Sequence, residues 1–144
     1  MPKKRKRHLK IALLVDPMGT SHTTPEEEIE DHKHVLTDML GDKCRILRFY
    51  TPACPIFEPN TDMVLYDFGG LLPGSDDLLD SNARALVRFA QDNPNCLILV
   101  VSTMSPWFKI EEAMEDLGIK RLPNVVASPY RIELPDWFLE GIGE

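Results

Sequence analysis

Three short apolar runs constrain this chain more than anything else in it. They are residues 9–15 (LKIALLV), 63–67 (MVLYD) and 96–101 (CLILVV). Each has the length of a strand. Each is apolar at nearly every position rather than at alternate ones, the pattern of a strand buried on both faces. Residues 43–49 (KCRILRF) alternate instead and read as an edge strand, and 124–127 (NVVA) read as a short fifth strand.

Helical signals fill the gaps. Thr24-Pro25-Glu26-Glu27 has the form of a capping box with proline at the first helical position. Ile29, His32, Val35, Leu36, Met39 and Leu40 then recur at helical spacing, and Gly41 is a stop signal. Glu26, Glu27, Glu28, Glu30 and Asp31 crowd the first turns, where the helix dipole favours negative charge. A second helix starts near Ser75 or Asp76, runs through Leu78, Leu79, Ala83, Leu86, Val87 and Ala90, and ends before Pro94. A third starts at Ser105-Pro106, runs through Ile110, Ala113, Met114 and Leu117, and ends at Gly118. The stretch 134–142 is expected to form a last helical turn or helix, with Trp137, Phe138 and Leu139 packing back. Residues 50–61 contain Pro52, Pro55 and Pro59 and cannot hold an ordinary helix, so one crossover lacks its helix.

Strands separated by helices imply a parallel sheet covered on both faces, with right-handed crossovers. The expected fold class is α/β: a three-layer sandwich with a mainly parallel five-stranded sheet of order 2-1-3-4-5, Rossmann-like or flavodoxin-like. With 144 residues and 43% hydrophobic content the chain is sized for one such domain, and no apolar run approaches a membrane span. The net charge of −7 conceals two populations. Lys3, Lys4, Arg5, Lys6, Arg7 and Lys10 take six of the 16 basic residues, leaving ten against 23 acidic ones. Residues 1–8 are therefore read as a flexible basic tail and 9–144 as an acidic domain. Cys44 and Cys96 fall in strands and read as buried hydrophobes, and Cys54 lies in a loop. Their number and spacing give neither a disulfide framework nor a zinc motif, which suits a reducing, intracellular compartment.

In an open α/β sheet, ligands bind beyond the carboxyl ends of the strands where the winding reverses. Here that is the crevice between the first and third strands. The first strand delivers Asp16, Gly19, Thr20 and His22; the third delivers Asp67, Gly69 and Gly70; the fourth delivers Ser102 and Thr103. Asp16 and Asp67 supply the oxygen ligands that a hard cation requires. Backbone N–H groups in the glycine-containing loops suit a phosphate. The same residue types also make ordinary turns and helix caps. His22 is the histidine placed nearest the crevice, as a candidate general base. His8 goes with the tail, and His32 and His34 read as surface or boundary residues. Walker-lysine and G-x-G-x-x-G signatures do not occur.

Residues 62–79 (DMVLYDFGGLLPGSDDLL) resemble the phosphoacceptor region of response-regulator receiver domains, in which an apolar strand ends in Asp. Residues 10–16 (KIALLVD) resemble the receiver first strand, and Ser128-Pro129 stands at the Lys-Pro position. The resemblance implies Asp67 as phosphoacceptor, Asp16 as a magnesium ligand and Ser102 or Thr103 as the switch hydroxyl. Pro17 stands where a second acidic residue is usual, and Ser128 replaces the lysine that pairs with the phosphoryl group. The implied phosphoacceptor site is thus incomplete. Asp16-x-x-Gly19-Thr20 also resembles the first motif of haloacid-dehalogenase-type phosphatases, with Met18 in place of its second Asp. Gly69-Gly70 resembles class I glutamine-amidotransferase-like folds, with Ser102 where the nucleophilic cysteine would be.

Two functional expectations follow. One is a non-enzymatic regulatory or protein-interaction module with a receiver-like fold, acting through a protein partner or a second copy. The other is a small magnesium-dependent enzyme or binding protein for a phosphorylated or nucleotide ligand, using Asp16, Asp67 and Ser102. Residues 2–7 of the tail (PKKRKR), with Lys3, Lys4, Arg5, Lys6 and Arg7, resemble a monopartite nuclear localisation signal. The tail also suits nonspecific contact with nucleic-acid phosphates, or serves as a solvated arm. The expected location is cytoplasmic, or nuclear in a eukaryotic setting, with no membrane contact. Trp107 and Phe108 read either as core or as an exposed aromatic patch near the rim.

Overall fold

A computed structural model describes residues 8–15, 25–41, 46–51, 57–67, 76–101, 115, 118, 121–128 and 132–142. Its elements, in chain order, are β1 (His8–Val15), α1 (Pro25–Leu40), β2 (Ile46–Tyr50), β3 (Met63–Asp67), α2 (Asp76–Asp92), β4 (Leu97–Val101), β5 (Val125–Ser128) and α3 (Asp136–Ile142). The five strands form one sheet in the order β2-β1-β3-β4-β5, and every pairing is parallel. The expected fold class therefore holds, with the 2-1-3-4-5 order of a flavodoxin-like sheet. One register row, Tyr50–Ala12–Val64–Ile98–Val125, crosses all five strands.

The apolar runs are double-sided, as their composition demands. Alternate residues of β1, β3 and β4 feed two cores. Ala12, Leu14, Val64, Tyr66, Ile98 and Val100 pack under α2 through Leu86 and Ala90. Leu9, Ile11, Leu13, Met63, Leu65, Leu97, Leu99 and Val101 pack on the opposite face with Leu36, Leu40 and Phe138. So α1 and α3 cover one face and α2 the other, which makes three layers. Burying each of the Val, Leu, Ile, Met and Phe side chains among them contributes about 1.5–3 kcal/mol before entropy is counted.

Helix α1 starts at the proline expected at its first position and ends at Leu40. The Gly41 N–H donates to the Thr37 carbonyl at 2.8 Å. A Cβ at position 41 would stand 2.6 Å from that oxygen, so the close approach requires glycine. Three expectations are corrected here. Val35 and Met39, read as part of the helix's inward stripe, are 40% and 36% exposed. The sheet-facing positions are instead Glu28, His32, Leu36 and Leu40, spaced by four. Trp137 does not anchor the C-terminal segment: α3 turns Phe138 into the core and leaves Trp137 43% exposed. Finally, β1 begins at His8, which pairs with Ile46, so His8 belongs to the sheet rather than the tail. Residues 1–7 and most of the expected third helix, Trp107 and Phe108 included, lie outside the described residues, as do Cys44 and Cys54. Cys96 is buried, as expected.

The return from β2 to β3 shows how the chain manages without a crossover helix in its described part, 57–62. The Thr61 hydroxyl donates to the Glu58 carbonyl at 2.6 Å. Its only proton is then used, so Tyr50 Oη must be the donor in the 2.6 Å Tyr50–Thr61 contact. Tyr50 Oη in turn accepts the Glu58 N–H at 2.9 Å. The three bonds close a ring that ties the connection to β2. Asp62 accepts the Lys10 backbone N–H at 2.9 Å, and Lys10 Nζ reaches Glu58 at 3.0 Å. Phe57 packs on Phe89 of α2, ring centroids 4.6 Å apart.

Candidate functional site

The register defines the carboxyl edge of the sheet. Its last described row is Val15–Asp67–Val101–Ser128. Asp67 thus stands at the expected end of β3, beside the expected switch point between β1 and β3. Its neighbour on β1 is Val15, one residue short of Asp16. Asp16, Gly19, Thr20, His22, Gly69, Gly70, Ser102 and Thr103 lie outside the described residues, as does the tail of Lys3, Lys4, Arg5, Lys6 and Arg7.

What the structure places around Asp67 was not anticipated. Side chains alternate along β3, so Asp67 shares a face with Met63 and Leu65, the face that α1 covers. There His32 donates from Nε2 to Asp67 Oδ2 at 2.8 Å, across 35 residues of sequence. The Asp67 side chain is 0% exposed and that of His32 is 9%. Asp67 has a further interaction besides this one. One turn earlier on the same helix face, Glu28 is also buried. The inward stripe of α1 therefore changes character along its length: Leu36 and Leu40 over the middle of the sheet, Glu28 and His32 over its carboxyl edge.

This is chemically expensive. Enclosing a carboxylate costs several kcal/mol even after relaxation, and a charge-assisted bond to an imidazole offsets part of it. The bond also fixes the ring. With Nε2 facing Asp67, Nδ1 is the nitrogen left for other chemistry. Sequence reasoning set His32 aside as a surface or boundary residue. The signal that would have found it is its place, with Glu28, at spacing four from Leu36 and Leu40.

Two other site expectations meet the structure at Ser128 and at the metal. Ser128, at the receiver lysine position, is buried. Its hydroxyl donates to the Glu133 carbonyl at 3.2 Å and accepts the Glu133 N–H at 3.3 Å. It ties the end of β5 to the segment just before α3. Among the described residues, no group of three His, Cys, Asp or Glu side chains is arranged to hold a metal ion. The Asp16 half of the expected magnesium pair is not among them. Nor is any helix among the described residues long and apolar enough to cross a membrane.

No family model matches the chain, and no curated protein matches it. Among solved structures it is similar to a rubredoxin oxygen:oxidoreductase from the anaerobe Desulfovibrio gigas, with 12% identity and a TM-score of 0.39. The similarity covers 98% of this chain and 34% of that one, so the chain spans about a third of that protein's length.

Proposed function

We propose that the chain is a non-enzymatic regulatory or protein-interaction module, with a receiver-like fold and an incomplete phosphoacceptor site. The observation that supports this best is the state of Asp67. A phosphoacceptor carboxylate must meet a phosphoryl donor and a divalent cation. The Asp67 side chain is wholly enclosed, and one of its oxygens is held by His32 at 2.8 Å. Ser128 adds support, since it replaces a cationic partner and its hydroxyl is bonded to Glu133. The module would act through a protein partner or a second copy. Its basic tail would add salt-sensitive, sequence-independent attraction to polyanions.

The test is chemical. The protein is incubated with acetyl phosphate and magnesium, and separately with p-nitrophenyl phosphate and nucleoside triphosphates. Intact mass should show no added phosphoryl group, and the esters should not turn over. The competing reading, a magnesium-dependent enzyme, predicts turnover that disappears in both Asp16→Asn and Asp67→Asn. That result would overturn the proposal.

A further inference from the structure

Lys10 settles which way the backbone of its neighbours faces. Its N–H donates to Asp62 Oδ2 at 2.9 Å and its carbonyl accepts the Asp62 N–H at 2.9 Å, so both groups are turned toward β3. Backbone groups alternate in direction along a strand, so those of Leu9 and Ile11 are turned toward β2. In the register Leu9–Leu47 and Ile11–Phe49 they meet the groups of Ile46, Arg48 and Tyr50. The N–H and C=O groups of Leu47 and Phe49 are therefore left on the outer edge of β2, the last strand on that side of the sheet. Among the described residues no strand, turn or cap bonds them. Open edges are ordinarily blunted by proline, bulges or charges. The strand ILRFY has no proline or glycine and a single charge, Arg48. Leu47 and Phe49 are half-buried against the core on the α1 side, and Arg48 is exposed on the opposite face. There it stands in register beside a second cation, Lys10, whose Nζ is held by Glu58 at 3.0 Å. Among the described residues Arg48 has no ion partner of its own.

We propose that the outer edge of β2 docks an extended segment of a partner protein, added antiparallel as a sixth strand, with the alternation apolar–acidic–apolar. The two apolar residues exchange N–H···O=C bonds with Leu47 and Phe49 and extend the half-covered apolar surface on the α1 side. The residue between them stands opposite Arg48 at a non-hydrogen-bonded position, where facing side chains come closest. A carboxylate there supplies the counter-charge that Arg48 lacks. The same arginine selects against a second copy of this chain. The antiparallel pairing that uses all four groups of Leu47 and Phe49 would set Arg48 against Arg48 of the other copy, and like charges directly opposite are destabilising. The inference rests on the interaction-module reading and gives that module its surface and the chemistry of its partner.

The probe is the peptide Thr-Val-Glu-Val-Thr with both ends blocked, titrated into the isotope-labelled full chain and read through backbone amide resonances. The amides of Leu47 and Phe49 shift and exchange more slowly as peptide is added. A peptide with Lys in place of Glu binds roughly fivefold more weakly, the scale set by a charge pair across two strands. Arg48→Glu reverses that order. Methylating the backbone nitrogens of both valines removes their donors and abolishes binding. Unshifted Leu47 and Phe49 amides at millimolar peptide would overturn the proposal, as would equal binding of the Glu and Lys peptides, or binding that survives methylation. Protection of the same two amides in the protein alone, growing with its concentration, would overturn it in favour of a second copy. Where Arg48→Glu does not fold, the two peptides compared on the wild type decide. None of these outcomes bears on phosphoryl transfer, so the non-enzymatic reading stands or falls separately, on acetyl phosphate.

Discussion

Consider His32→Leu. The substitution continues the stripe already set by Leu36 and Leu40, so helix propensity and packing both favour it. Its cost is electrostatic. Asp67 keeps its buried position and loses the donor at 2.8 Å. Breaking one side of a buried pair typically costs about 3–5 kcal/mol. Asp67 retains a further interaction, which places the expectation at the lower end, about 3 kcal/mol. Asp67→Val alone leaves an imidazole N–H without its acceptor and costs about 1–3 kcal/mol. The double variant removes both problems and adds apolar contact, so it should return to within about 1 kcal/mol of the wild type, or exceed it. Urea denaturation of the four proteins measures this. At an m-value of about 2 kcal/mol per molar, His32→Leu lowers the midpoint by about 1.5 M, and the double variant regains most of that. Additive losses, or a loss below about 1 kcal/mol for His32→Leu, would refute the reasoning, because contacting partners must couple. Recovery in the double variant would also show that the fold does not need the pair.

Other expectations are simpler. Tyr50→Phe opens the Tyr50–Glu58–Thr61 ring and leaves the buried Thr61 hydroxyl without its donor. It should cost about 1–2 kcal/mol in thermal unfolding and raise amide exchange at Glu58. Asn124→Leu withdraws the Nδ2 group that serves the carbonyls of Ala90, Asn93 and Cys96 at 3.1, 3.2 and 2.9 Å. With those acceptors buried or partly buried, the loss should be at least about 2 kcal/mol by chemical denaturation. Gly41→Ala sets a Cβ against the Thr37 carbonyl, so α1 should fray at its end and lose about 1 kcal/mol, visible as faster amide exchange at Gly41's position.

The sheet was legible because its central strands are apolar on both faces and are short runs bounded by turn signals, which separates them from buried helices. The third strand is Met63–Asp67, as read from the sequence, and the fourth starts at Leu97 rather than Cys96. The edges were less legible. The second and fifth strands lie at the two ends of the sheet, where one side goes unpaired and the residues carry a weaker pattern. At the site, the position of Asp67 was legible and its partner was not. Parity along Met63, Leu65 and Asp67 would have aimed the carboxylate at α1, but it does not say which helical residue stands opposite. That depends on the rotation of α1, and Val35 and Met39 argued for the wrong rotation. A hydrophobic stripe is ambiguous when its upper half is ionisable. Glu28 and His32 on the inward face make it so.

The order β2-β1-β3-β4-β5 places the first strand in the chain at an interior position of the sheet. During synthesis β1 leaves the ribosome early and must wait for both neighbours. Val15 finds Asp67 about fifty residues later, which at about 5–20 residues per second is a delay of several seconds. Until β2 follows, with Ile46 38 residues behind its partner His8, both edges of β1 lack a partner, and the edge that faces β3 lacks one for the whole interval. The lag makes β1 the segment through which a nascent or stalled chain would recruit chaperones or aggregate.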